Sequence, residues 1–97
     1  MILDNEIVEE KVKSLNGWKR ADEKTIERVY TFSDFLNGIH FVNKIAEHAE
    51  TVNHHPHLTI NHTEITVRLT TVDAGGITEK DIRSAFEYNR LISTVHA

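Results

Sequence analysis

Apolar side chains recur along this chain in two periods, close to four residues and at two, and each change of period predicts an element boundary. From about Asn5 to Leu15 the positions Leu3, Ile7, Val8, Val12 and Leu15 form one stripe among Glu and Lys, and Asn16-Gly17 supplies a left-handed stop, so a short amphipathic helix is expected. Trp18 to Ala21 and Thr25 to Phe32 read as two strands joined at Asp22-Glu23-Lys24. In the second, Ile26, Arg28, Tyr30 and Phe32 share one face and Thr25, Glu27, Val29 and Thr31 the other. Ser33 or Asp34 can cap a long helix carrying Leu36, Ile39, Val42, Ile45, Ala46, Ala49 and Val52 at helical spacing, which runs without a breaker to His54-His55-Pro56. Alternation resumes over His57 to Asn61 and, after a turn at His62-Thr63, over Glu64 to Val72. Asp73-Ala74-Gly75-Gly76 must turn, and Thr78-Glu79-Lys80-Asp81 has the spacing of a capping box ahead of a last helix carrying Ile82, Ala85, Phe86 and Ile92.

The predicted order is therefore α-β-β-α-β-β-α. Three helices cannot cover both faces of a four-stranded sheet, so the expected fold is an α+β two-layer sandwich, antiparallel within each hairpin, with the helices on one face. At 97 residues one domain, 1–97, accommodates the whole pattern. The uncovered sheet face and the edge strands call for a partner, and a homodimer or homotetramer is the economical expectation. Composition narrows the function classes. Hydrophobic residues at 39% and charged residues at 27%, with one proline and four glycines, describe a globular chain without linkers. A formal net charge of -4 and the lack of any basic run argue against a nucleic-acid surface. No cysteine is present for disulfide or thiolate chemistry, the start Met1-Ile2-Leu3-Asp4 does not resemble a signal peptide, and no apolar run reaches membrane-spanning length, which together predict a cytoplasmic protein with no membrane partner.

The candidate chemistry sits at His54-His55-Pro56. Two adjacent imidazoles at a helix end, followed by a proline that fixes the backbone, form an acid/base site close to neutral pH because unperturbed His titrates around ~6.5. Blander assignments stand beside this one. His54 can serve simply as a cation at a helix C-terminus, worth about 0.3–1 kcal/mol. His55-x-His57 with His62 and Glu64 has the ingredients of an imidazole metal site. His40, His48 and His96 read as surface or packing residues, the glutamates Glu9, Glu10, Glu47 and Glu50 as solvated helix faces, and Gly75-Gly76 as a turn, since the spacing and the Lys-Ser/Thr ending of a phosphate loop are missing.

Glu50-Thr51-Val52-Asn53-His54-His55-Pro56, followed by Thr70-Thr71-Val72-Asp73-Ala74-Gly75-Gly76-Ile77-Thr78-Glu79-Lys80-Asp81, resembles the pterin-4a-carbinolamine dehydratase family. Gly17-Trp18, Ile26-x-Arg28-x-Tyr30-x-Phe32, Asp34-Phe35, Phe41-Val42 and Ala46-Glu47 extend the resemblance from about Leu3 to Ile92. It implies dehydration of 4a-hydroxytetrahydropterins to quinonoid dihydropterins, in the recycling of tetrahydropterin, with a pterin substrate and neither metal nor organic cofactor. By position it implies His54 and His55 as catalytic residues, Glu50 as the acidic position upstream, Pro56 as the stiffener of the loop, Trp18 at the mouth of the pocket, and Asn53, Thr71 and Val72 against the substrate. The sequence departs from the pattern in two places that matter: the family's third histidine falls on Val72, which cannot carry a proton, and the aromatic position before the last strand falls on His62. Lys80 stands where the family has Arg. His57 or His62 offers a replacement imidazole. A catalytically weak relative acting as a dimerisation or interaction module is the alternative function.

Overall fold

A computed structural model describes residues 1–95, so His96 lies outside the described residues. Helix α1 spans Asn5–Lys13, started by Asp4, whose side chain accepts from the Ile7 amide, and held to the core by Val8 and Val12. It ends short of Leu15, which still packs into the core from the turn that follows. That turn passes through Gly17 at φ 81°, where a Cβ would lie 2.5 Å from Arg28 Nε, so the position demands glycine for both space and backbone. Strands β1 (Lys19–Asp22) and β2 (Thr25–Thr31) form the first hairpin. Helix α2 (Phe35–Val52) is capped by Asp34, which accepts from the Asn37 amide. Strands β3 (His57–Asn61) and β4 (Glu64–Leu69) form the second hairpin, and α3 runs Glu79–Ile92 from the complete Thr78–Asp81 capping box.

The sheet order is β1-β2-β4-β3, and β2 pairs antiparallel with β4, Ile26 opposite Leu69 and Tyr30 opposite Ile65. The two hairpins are thus joined through their inner strands, leaving β1 and β3 as edges. Strand β4 ends at Leu69 rather than Val72, because the chain bonds to itself there: Gly75 N–H donates to Thr71 and Val72 carbonyls, and Val72–Ala74 form a 3-10 turn.

Alternation sorts the sheet faces. Ile26, Tyr30, Ile65, Val67 and Leu69 are buried with residues of all three helices in one core, where Phe41 of α2 lies 4.6 Å from the Tyr30 ring and 5.6 Å from Phe32. The buried stripe of α2 is Gly38, Phe41, Ile45 and Ala49, while Leu36 and Val52 of the expected stripe are 66% and 46% exposed. Both stripes share the same 3-4 spacing, and packing decides between them: Phe41 fills the aromatic site against Tyr30 and Phe32. On α3, likewise, Tyr88 is buried and Phe86 exposed. The other sheet face is polar rather than apolar. A row runs across it from Lys19 through Glu27 to Arg68 and His57, with Lys19–Glu27 at 3.7 Å and Arg68–Glu27 at 2.9 Å.

Candidate functional site

The site is assembled where α2 stops. Asn53 adopts the left-handed conformation, φ 52° and ψ 45°, and the His54 amide closes the helix on Ala49 O. That cap sends the next two side chains in opposite directions. His54 turns inward and is buried, its Nε2 donating to Asp81 Oδ1 at 2.6 Å. His55 turns outward, 54% exposed, with Nε2 against the Glu50 carboxylate one turn back on α2. Pro56 then leads the chain into β3.

Asp81 has no exposed surface and accepts three hydrogen bonds, from His54, from Thr71 Oγ1 at 2.8 Å and from the Thr78 amide at 2.9 Å. The Thr71 and Thr78 hydroxyls are themselves 2.7 Å apart. One carboxylate therefore ties the exit of α2, the turn after β4 and the start of α3, and so fixes the two segments that flank the site. Because a carboxylate only accepts, His54 carries a proton on Nε2.

On the polar face of the sheet, a cleft of about 400 Å³ is lined by Thr25, His55, Pro56, His57, Arg68, Thr70 and Val72. A second hollow bordered by Asp22, Glu23 and Lys24 of the β1–β2 turn shares Thr25, Thr70 and Val72 with it. The cleft offers two imidazoles, two hydroxyls and a guanidinium that Glu27 already engages, so it can exchange protons and hydrogen-bond a flat polar molecule. Among the described residues no three His, Asp or Glu side chains converge as a metal site.

Residues 1–91 match the model of the family described as pterin 4 alpha carbinolamine dehydratase. The chain belongs to that family. A relative from Thermosynechococcus vestitus, carrying the name "Putative pterin-4-alpha-carbinolamine dehydratase", is 47% identical over 75 residues, 77% of this chain and 78% of its own. One of the same name from Mycolicibacterium vanbaalenii is 41% identical across 94% of this chain and 97% of its own. Among solved structures, the transcriptional coactivator/pterin dehydratase from Brucella melitensis superposes with a TM-score of 0.91 at 30% identity, covering 95% of this chain and 99% of that one. A pterin dehydratase-like RuBisCO assembly factor of the alpha-carboxysome shares the fold, with a TM-score of 0.67 at 16% identity, covering 79% of this chain and 90% of that one.

Against this dehydratase-family frame the expected site residues separate into groups. His55, Pro56, Val72 and His57 line the cleft, and Glu50 reaches it through His55. His54 and Thr71 stand behind it, joined at Asp81. Asn53 is the exposed cap residue. Trp18 is not at the mouth: it is buried in the core, edge-on to Tyr30, with Nε1 donating to Asn89 Oδ1 at 3.0 Å. Asn89 Oδ1 also accepts from Tyr30 at 2.6 Å and Arg28 at 2.7 Å, a convergence that fixes Trp18 by its polar edge. His62 sits at the tip of the β3–β4 hairpin at φ 52°, five residues beyond His57, roughly 17 Å along the strand. Sequence reasoning missed Thr25, Arg68 and Thr70. Alternation had put each on the polar strand face, but the β2–β4 pairing that brings them together joins segments about forty residues apart.

Proposed function

We propose that this chain dehydrates 4a-hydroxytetrahydropterins to quinonoid dihydropterins by histidine acid/base catalysis, in the recycling of tetrahydropterin. The observation that carries the reading is His55, held by Glu50, opening into a cleft walled by hydroxyls and a second imidazole in a member of this family. In the reaction the C4a–O bond breaks, the hydroxyl leaves as water after taking up a proton, the N5 proton is removed, and a C4a–N5 double bond forms. The chemistry needs a proton delivered at one position and removed at an adjacent one, the work of imidazoles poised close to neutral pH. His55 is the group assigned to these transfers, its ring oriented by the Glu50 carboxylate. His54 supports it from behind: its ring is turned to Asp81 and is absent from the cleft lining, so it acts as a positioning residue, and Thr71 acts with it. Thr25, Thr70 and Arg68 supply hydrogen bonds to the pterin ring, and Pro56 keeps the loop stiff.

Val72 leaves one side of the cleft without a proton carrier, and His57 is the imidazole close enough to stand in. His62, at the hairpin tip, is not. The assay is stopped-flow dehydration of a 4a-hydroxytetrahydropterin with and without chelator. Turnover that survives chelation supports the reading, and loss of turnover restored by zinc overturns it.

The same proposal carries a cytoplasmic protein that is a homodimer or homotetramer and binds no nucleic acid. Support for the assembly comes from the unpaired β3 edge and from Phe35, Leu36 and Ile60, which are 45%, 66% and 44% exposed. Light scattering at micromolar concentration reads it, and a monomer of 11.1 kDa contradicts it. These exposed side chains, with Val72, also favour the second reading, an interaction module of weak activity. That reading predicts turnover only slightly above the uncatalysed rate.

A further inference from the structure

A cavity lies away from the His55 cleft, between α2 and α3. It measures about 640 Å³, within the range of roughly 300–1,000 Å³ typical of small-molecule sites, and shares no lining residue with the cleft of about 400 Å³. Its apolar surface includes Leu15 and Ile82 together with Val52 and Phe86, which are 46% and 64% exposed. Periodicity marks Val52 and Phe86 as core residues, and the fold leaves both at this one groove in water.

The charges around the groove are unbalanced. Its two carboxylates are occupied: Glu79 faces Lys11 at 3.9 Å, and Glu87 accepts from Arg90 Nε at 3.0 Å. Arg90 accordingly holds the Glu87 carboxyl below the usual carboxylate range. Lys80 and Arg83 also line the groove, and their side chains have no ion pair or hydrogen bond among the described residues. A third feature is His48 in the wall. Its ring packs edge-on to Tyr88 at 5.7 Å, which makes it part of the apolar wall of the groove.

We infer that this groove is a second binding site, for a small amphipathic anion: a carboxylate on an apolar or aromatic body. The body covers Val52 and Phe86, and the carboxylate meets the free Lys80 and Arg83. A neutral apolar ligand leaves the two cations unused, and a multiply charged polar one leaves the apolar wall uncovered. His54 borders the groove on one side and bonds Asp81 on the other, so the site abuts the residues that hold the catalytic loop.

The test uses the full chain and naphthylacetate as probe, followed by NMR amide shifts, with naphthylacetamide as its neutral counterpart. Expected are saturable shifts at Val52, Lys80, Arg83 and Phe86 with none at Arg68, Thr70 or Val72, and binding roughly tenfold weaker for the amide, the scale of one charge-assisted hydrogen bond. Lys80→Gln and Arg83→Gln, both at exposed positions that leave the core untouched, should each weaken naphthylacetate by a similar factor. Phe86→Ser should weaken acid and amide alike. Shifts centred on the His55 cleft, no saturation, or equal binding of acid and amide would overturn the inference.

Discussion

Asp81→Ala removes the acceptor of three hydrogen bonds in a place with no exposed surface. The donors do not suffer equally. Thr71 Oγ1 keeps Thr78 Oγ1 at 2.7 Å, whereas His54 Nε2 and the Thr78 amide lose the carboxylate that satisfied them. Leaving a buried donor unpaired costs about 1–3 kcal/mol, so two of them together with the lost helix-start carboxylate come to about 3–5 kcal/mol. For a domain of this size each 1 kcal/mol lowers Tm by roughly 4–8 °C, so the midpoint should fall by at least about 12 °C. Asp81→Asn keeps one acceptor oxygen and should cost less, about 1–2 kcal/mol. The Asn variant separates positioning from stability. Assayed well below its midpoint, it should lose kcat by about tenfold or more with KM little changed, because His54 and the Thr71 turn no longer fix the catalytic loop. Urea unfolding and stopped-flow dehydration read the two effects. An Ala variant as stable as the parent refutes the network, and an Asn variant with parental kcat refutes its link to catalysis.

Val72→His should raise turnover, and because Val72 is 82% exposed the change should leave stability within about 0.5 kcal/mol, without the overpacking a buried valine would bring. In the same assay His57→Ala should lower turnover and His62→Ala leave it unchanged; the reverse order would move the replacement imidazole to the hairpin tip. Asn89→Ala should cost about 2–4 kcal/mol in urea unfolding, since Trp18 Nε1 and the Tyr30 hydroxyl lose one shared acceptor, and a neutral result would show that water replaces it. Burial pushes the two tyrosines of the chain, Tyr30 and Tyr88, up to about 12 from an ordinary 10. A folded value raised above the unfolded one contributes stability that is intact below pH 10 and is lost as pH climbs toward 12, so tyrosinate absorbance and loss of circular dichroism should rise together in that window. Normal titration at pH 10 with the fold intact would contradict this.

What could be read from the sequence was local. The Thr78–Asp81 capping box and the Asp34 cap depend on residues three apart and the alternation of β2 and β4 on residues two apart, and all are present. The stripe of α2 was ambiguous because two apolar rows share one spacing, and the packing of Phe41 against Tyr30 and Phe32 chooses between them. The role of Trp18 depended on Asn89, 71 residues away. Adjacency in sequence suggested that His54 and His55 act side by side. Their separation follows from one backbone angle, the left-handed φ of Asn53, and from a carboxylate that sequence marked only as a helix cap. The cleft itself needed the β2–β4 pairing, which no local pattern encodes.

In the proposed reaction His55 moves the protons of pterin dehydration. That role is tested most directly by single-turnover stopped-flow dehydration of a 4a-hydroxytetrahydropterin by the parent protein and by His55→Ala, whose exposed position leaves the core intact. The parent should accelerate the reaction above buffer, and His55→Ala should lose a factor on the order of 10²–10⁴ while remaining folded. A folded His55→Ala protein with the parental rate, or a parent no faster than buffer, would contradict that role.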